Sequence, residues 1–196
     1  MEMSAEPLSQ LSNDALLVLY ANGDAPAAQV LTTRLLPRVF KQARHMLGDV
    51  MEAEDVAQDA MIRLWRMAPD WRSGEAQITT WLFRVTSNLC TDRLRKRRGV
   101  GLDEIAEPAD PSKSVTQQIQ DRTRGNALQS ALDQLPDRQR QAVVLRHIEG
   151  LPNPEIAEVM EISPRAVESL TARGKRALAT LLSGQRAELG YDDEPA

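Results

Sequence analysis

One cysteine, two histidines and 4% aromatic residues in a chain of 196 residues are the first constraints, and each shortage removes a class of explanation. Cys90 alone cannot close an internal disulfide, and Cys90 with His45 and His147 gives too few ligands for a structural zinc site. These three are isolated along the chain and read as core or surface positions rather than as a metal or redox sensor. No apolar run approaches the roughly 20 residues of a bilayer-spanning helix. Met1 to Ser12 carries Glu2 and Glu6 with no basic stretch, unlike a secretory signal. The expectation is a cytoplasmic protein with no metal, no cofactor and no direct membrane insertion.

A charge of one sign is also missing. With 24 Lys and Arg against 28 Asp and Glu, the net charge is −4. The distribution says more than the sum. Arg84, Arg93, Arg95, Lys96, Arg97 and Arg98 crowd one short stretch with Asp92 as its single acid. Asp49, Glu52, Glu54, Asp55 and Asp59 form a run with no cation, and Asp103, Glu104, Glu107 and Asp110 form another. Such segregation predicts separate surfaces for separate partners. The cations are mostly Arg, which suits bidentate contacts to bases and phosphates.

What the chain does have is helical periodicity. A length of 196 residues accommodates one domain or two small ones. From Gly99 to Arg122 no helical or alternating apolar period survives among Gly, Pro, Ser, Gln and acids, which predicts a flexible acidic linker over 99–122. Ahead of it, Asp14 to Ala21 reads as a short helix. Ala25 to Leu47 reads as a longer one, which Pro37 should kink or split. Glu54 to Met67 carries Val56, Ala57, Ala60, Met61, Leu64 and Trp65 on one face. Thr79 to Arg97 turns Leu82, Val85 and Leu89 inward and Arg84, Asn88, Asp92 and Arg95 outward. After the linker come Asn126–Leu135, Asp137–Ile148, Pro154–Met160 and Pro164–Leu182. No strand pattern is present, so the fold class is all-α: two small helical domains, 12–98 and 123–184, with a disordered acidic tail over 185–196.

Three features carry chemistry. The first spans Pro154 to Leu182. Ile156, Met160, Ile162 and Val167 are spaced to close a small core, and Ala157 is small where two helices would cross. Ser163 is an N-cap and Pro164 occupies the first helical position. The following helix exposes Arg165, Glu168, Ser169, Arg173, Lys175 and Arg176. A capped helix with a basic face after a tight turn is the signature of a helix-turn-helix, whose second helix enters the major groove.

The second feature is the basic helix. Asn88 can pair bidentately with adenine, and the cations after it, Arg93, Arg95 and Lys96, can neutralise phosphates. Trp81 reads as core and Phe83 as a possible stacking platform for opened bases. The third is the acidic helix at Glu54 to Trp65, where Glu54 and Asp55 suit the first turn of a helix and the acidic face also offers a docking surface for a basic protein. A metal-dependent nuclease built on the Asp49–Asp59 carboxylates is disfavoured, because no histidine or catalytic Ser or Tyr converges with them. No catalytic residue is expected.

Taken together, these parts resemble a known family. Glu54-Asp55-Val56-Ala57-Gln58-Asp59, Leu64-Trp65-Arg66, Trp81-Leu82, Asn88-Leu89 and Asp92-Arg93-Leu94-Arg95 are similar to the σ2 domain of bacterial sigma factors. Leu132 through Leu135-Pro136-Asp137-Arg138-Gln139-Arg140, Val144-Leu145-Arg146 and the helix-turn-helix resemble σ4. With only a linker between them, the chain resembles the extracytoplasmic-function (ECF) type over roughly residues 12 to 182.

The resemblance implies a sigma factor that binds core RNA polymerase, recognises and melts promoter DNA, and is held by an anti-sigma factor that is often membrane-anchored. It implies docking on the β′ clamp helices through Asp55, Gln58, Asp59, Arg63 and Trp65, with the β flap as a further polymerase contact. It places the −10 element on Arg84, Asn88, Asp92, Arg93, Arg95 and Lys96, with a loop just before Asn88 capturing an extruded base. The −35 element falls to Arg165, Glu168, Ser169, Arg173, Lys175 and Arg176. Glu161 stands where the family often has Gly, Thr171 where Leu is usual, and Glu168 where Lys is common. The alternative is a two-domain helix-turn-helix regulator that binds duplex DNA without joining polymerase.

Geometry constrains this reading. DNA patches two helical turns apart are separated by roughly 70 Å, at 34–36 Å per turn. About 23 linker residues reach at most roughly 75–83 Å when fully extended. A relaxed coil of that length averages about 25–29 Å. Both elements are therefore reachable only with the linker drawn out.

Overall fold

The computed structural model describes residues 8–72, 74, 77–100 and 116–183, and among them every regular element is helical. After a single turn at Leu8–Gln10 come α1 (Asn13–Ala21), α2 (Ala25–Leu47), α3 (Val50–Met67) and α4 (Ile78–Val100). The second half holds α5 (Thr116–Asp133), α6 (Asp137–Val143), a π-helical turn (Val144–Ile148), α7 (Asn153–Met160) and α8 (Pro164–Ser183). Helix α5 begins inside the stretch expected to be linker. The rest of that stretch, 101–115, and the tail from 184 lie outside the described residues.

Side-chain caps set the helix starts. Ser12 Oγ accepts from the Ala15 N–H at 3.1 Å, and Asp24 Oδ1 from Ala27 at 3.0 Å. Asp49 Oδ1 accepts from Glu52 at 2.9 Å, so α3 starts four residues before Glu54 and its first-turn acid is Glu52. Gly48 ends α2 in the left-handed conformation, at φ 74°, which glycine adopts without a steric penalty. Pro37 does not split α2, which runs as one helix from Ala25 to Leu47. Both Pro37 and Thr33 are exposed, so the carbonyl deprived of its partner at Thr33 meets water instead.

Leu31, Leu35, Val39 and Ala43 of α2 pack with Val56, Ala57, Ala60 and Leu64 of α3 in the main core. Leu132, Leu135, Val143 and Val144 of the second half join that same cluster. A second cluster gathers Ala142, Leu145, Leu151, Ile156, Val159 and Val167 around Phe83 of α4. Helix α8 crosses α6 closely at Gly174, where an added Cβ would stand 2.6 Å from Val143 Cγ2 and 3.2 Å from the Gln139 carbonyl oxygen. The two halves thus pack directly on each other.

Candidate nucleic-acid and protein interfaces

On α3, Asp55, Gln58, Asp59 and Arg63 are exposed. Trp65 departs from the expectation that it belongs to an open docking face. It is half-buried, its ring 4.7 Å from that of Tyr20, because its position on α3 turns it toward α1. Two residues that the sequence reading missed stand out instead. Met51 is 70% exposed and Ile62 45%, and with Asp55 and Gln58 they make one stripe along α3. The signal was present in the periodicity, since Ile62 falls off the Val56, Ala60, Leu64 face. An exposed apolar pair flanking polar residues is what a protein-binding surface looks like.

The basic helix α4 divides by helical position. Asn88, Asp92, Arg95 and Lys96 are exposed, and Arg84 is half-buried. Arg95 reaches back to Asp92 at 3.6 Å. Arg93 and Arg97, one turn apart, point instead at α3. Arg93 spans Asp55 at 3.4 Å and Asp59 at 3.7 Å. Arg97 holds Glu52 through two nitrogens, at 2.9 and 3.0 Å, and also donates to the Leu47 carbonyl at 2.9 Å.

The acidic and basic runs are therefore not wholly separate surfaces, as their segregation in sequence had implied. Their inner residues neutralise each other, and their outer residues remain open. Pairs this exposed contribute about 0.2–1 kcal/mol each, so they orient side chains more than they stabilise the fold. Within the Asp49–Asp59 run, Asp49 caps a helix and Glu52, Asp55 and Asp59 pair with arginines, which further weakens the nuclease reading.

The loop expected just before Asn88 is absent, because α4 is continuous from Ile78. The nearest connection is 71–77, in which 73, 75 and 76 lie outside the described residues. Trp81 is half-buried against the main core, whereas Phe83 is 3% exposed and covered by the second half. Burial pushes the Cys90 thiol up to about 12 and leaves it inert as a nucleophile.

In the helix-turn-helix, Ser163 Oγ accepts from the Ala166 N–H at 3.2 Å, the predicted cap. Glu161 adopts the left-handed conformation, at φ 53° and ψ 48°, the adjustment implied by its standing in a glycine's place. Ile156 and Val167 are fully buried and Met160 nearly so, which closes the small core. Arg165, Glu168, Ser169, Arg173, Lys175 and Arg176 are all exposed on α8. Arg173 and Arg176 donate through Nε to the carbonyls of Ser169 and Ala172, at 3.2 and 3.4 Å, which steadies each guanidinium along the helix. Thr171 Oγ1 is buried without a hydrogen-bond partner, a site where the more usual leucine would leave no polar atom.

An open, Arg-rich helix after a capped tight turn, joined to a helical module with its own open basic row, defines a two-module DNA-binding architecture. Residues 31–100 match the family profile of Sigma-70 region 2, and residues 125–178 match that of Sigma-70, region 4. The ECF RNA polymerase sigma factor SigE of Mycolicibacterium smegmatis is 33% identical over 178 residues, 87% of this chain and 68% of that protein. SigW of Bacillus subtilis, also an ECF RNA polymerase sigma factor, is 30% identical over 80% of this chain and 89% of its own. Among solved structures, CnrH in complex with the cytosolic domain of CnrY superposes with a TM-score of 0.67 at 26% identity, covering 88% of this chain and 97% of CnrH. The chain belongs to the sigma-70 family, in its extracytoplasmic-function group.

Proposed function

We propose that this protein is the promoter-specificity subunit of RNA polymerase for a dedicated set of genes, acting in the cytoplasm and carrying out no covalent chemistry itself. The observation that carries the reading is that three open surfaces of different character coexist on one chain. These are the apolar-acidic stripe of α3, the Asn88, Asp92, Arg95 and Lys96 row of α4, and the Arg-rich face of α8.

In this reading α3 docks on the polymerase clamp through Asp55, Gln58, Asp59 and Arg63, with Met51 and Ile62 as apolar anchors. Helix α8 reads duplex DNA at the −35 element through Arg165, Ser169, Arg173 and Arg176, with Glu168 and Lys175 on the flanks. Helix α4 engages the −10 element, where Asn88 and the cations Arg84, Arg95 and Lys96 hold the opened strand by base contacts and phosphate neutralisation. CnrH was captured with CnrY, and the chain aligns with nearly all of CnrH, which supports control of this chain by an anti-sigma partner.

Run-off transcription with core polymerase on a supercoiled promoter library tests the proposal. The expected result is initiation at a defined subset of promoters only when this chain is added. Binding of the chain to duplex DNA without any effect on polymerase would overturn it in favour of a free-standing regulator.

A further inference from the structure

Helix α8 carries the cations Arg165, Arg173, Lys175 and Arg176 and a single acid, Glu168, and all of them are exposed. A carboxylate on this face works against DNA binding, because the phosphates that attract the arginines repel it. Its place there calls for a contact that compensates.

The protein itself supplies none. Among the described residues no hydrogen bond or ion pair reaches the Glu168 carboxylate. One turn on, its neighbours are Thr171 and Ala172, and one turn back they are Pro164 and Arg165. Only Arg165 is charged, and it stands N-terminal to the acid, the weaker order for an ion pair on a helix. The helix dipole gives no account either. Pro164 opens α8, so Glu168 lies beyond the first turn, where a carboxylate would be favoured.

The backbone under Glu168 is nonetheless held in place. Val167 beside it is fully buried, and Gly174 is buried where α8 crosses α6, so the rotation of α8 about its axis is fixed. At about 100° per residue, Arg165, Ser169, Ala172 and Arg176 run along the middle of the exposed face, with Glu168 at one edge. Arg165, Glu168 and Ser169 occupy the first two turns, the part of a recognition helix that meets base edges. Arg173 and Arg176 come later and lie back against the carbonyls of Ser169 and Ala172.

The chemistry of base edges then narrows the contact. An ionised carboxylate only accepts hydrogen bonds. In the major groove guanine presents acceptors, thymine an acceptor and a methyl group, and adenine an acceptor beside its amino group. Cytosine alone presents a donor, its N4 amino group, with no acceptor next to it. That is the one base edge an unpaired carboxylate meets without repulsion.

We propose that Glu168 is a specificity-determining residue of the −35 contact, its carboxylate accepting from the N4 amino group of one cytosine. The acid lowers affinity for DNA in general and so widens the contrast between right and wrong sequences. The proposal rests on the promoter-reading function above and adds the base that one side chain selects.

The test is selection from a duplex pool randomised over about one helical turn, using the full chain alone and with core polymerase. The preferred duplex is then changed one base pair at a time. For the parent chain, replacing one particular C·G pair by T·A should cost roughly five- to tenfold in affinity. Glu168→Ala should shrink that preference to less than about twofold, leave the other positions as they were, and tighten binding to unrelated duplex. Glu168→Gln should move the preference at the same position from cytosine to adenine, whose N6 and N7 suit an amide. Both replacements favour helices and lie on an exposed face, so the fold is retained.

Uniform tightening on every duplex with base preferences unchanged is what a merely solvated charge would give, and it overturns the proposal. A uniform loss, or a pool that yields no preferred cytosine, overturns it too. If the cytosine preference depends on Glu168 but the chain directs no initiation with core polymerase, the base contact stands and the promoter reading falls. If initiation is directed and its base preferences ignore Glu168, the promoter reading stands and this contact falls.

Discussion

Arg93 offers the sharpest test of how the basic helix works. Sequence reading groups it with Arg95 and Lys96 as phosphate contacts, yet it is held by Asp55 and Asp59 of α3 while its neighbours face water. Each phosphate contact contributes about −0.7 to the slope of log K against log[salt] on single strands and about −0.9 on duplex DNA. The measurement is binding of the polymerase complex to a pre-melted −10 fork between 50 and 200 mM salt. Arg95→Ala and Lys96→Ala should each weaken binding and flatten the slope by about 0.7–0.9. Across that fourfold salt range each variant should then lose about 2.6–3.5 times less affinity than the parent.

Arg93→Ala should leave the slope unchanged. Its cost in stability should stay within about 1 kcal/mol, because its carboxylate partners Asp55 and Asp59 are largely exposed. What should change is polymerase binding, since Asp55 and Asp59 lose the cation that orients them. A slope that flattens for Arg93→Ala as much as for Arg95→Ala would refute the division of α4 into an inward and an outward row.

Three further outcomes follow from local geometry. Glu161 sits in the left-handed region, which costs a residue with a side chain about 1–2 kcal/mol, so Glu161→Gly should raise stability by about 1 kcal/mol in urea denaturation, and a lower midpoint would show that the turn is unstrained. Gly174→Ala should destabilise even though alanine favours helices by about 1 kcal/mol, because a 2.6 Å approach to Val143 Cγ2 forces α6 and α8 apart; combining it with Val143→Ala should cost less than the two separate losses together, and simple additivity would argue against the clash. Cys90, with its thiol raised to about 12 from an ordinary 9.0, should react with a thiol reagent at pH 8 only after unfolding, and it should subtract stability as pH climbs above 9, where the unfolded thiol ionises and the folded one does not; fast reaction in the native state, or a Cys90→Ala variant with the same alkaline decline, would contradict its burial.

Much of this protein was decided by local chemistry and so was readable along the chain. The 3.6-residue apolar period fixed which faces of α2, α3 and α8 turn inward, and Ser163 with Pro164 fixed where the recognition helix begins. Those signals depend only on residues within a turn or two, and they also carried the family resemblance. The tertiary structure decided what depends on residues far apart in sequence. It paired Arg93 and Arg97 with the carboxylates of α3, drew Trp65 against Tyr20, and buried Phe83 in the core of the other half. Helical periodicity says that a side chain leaves one face of a helix. What that face meets is settled by the packing of other segments, which no local pattern encodes.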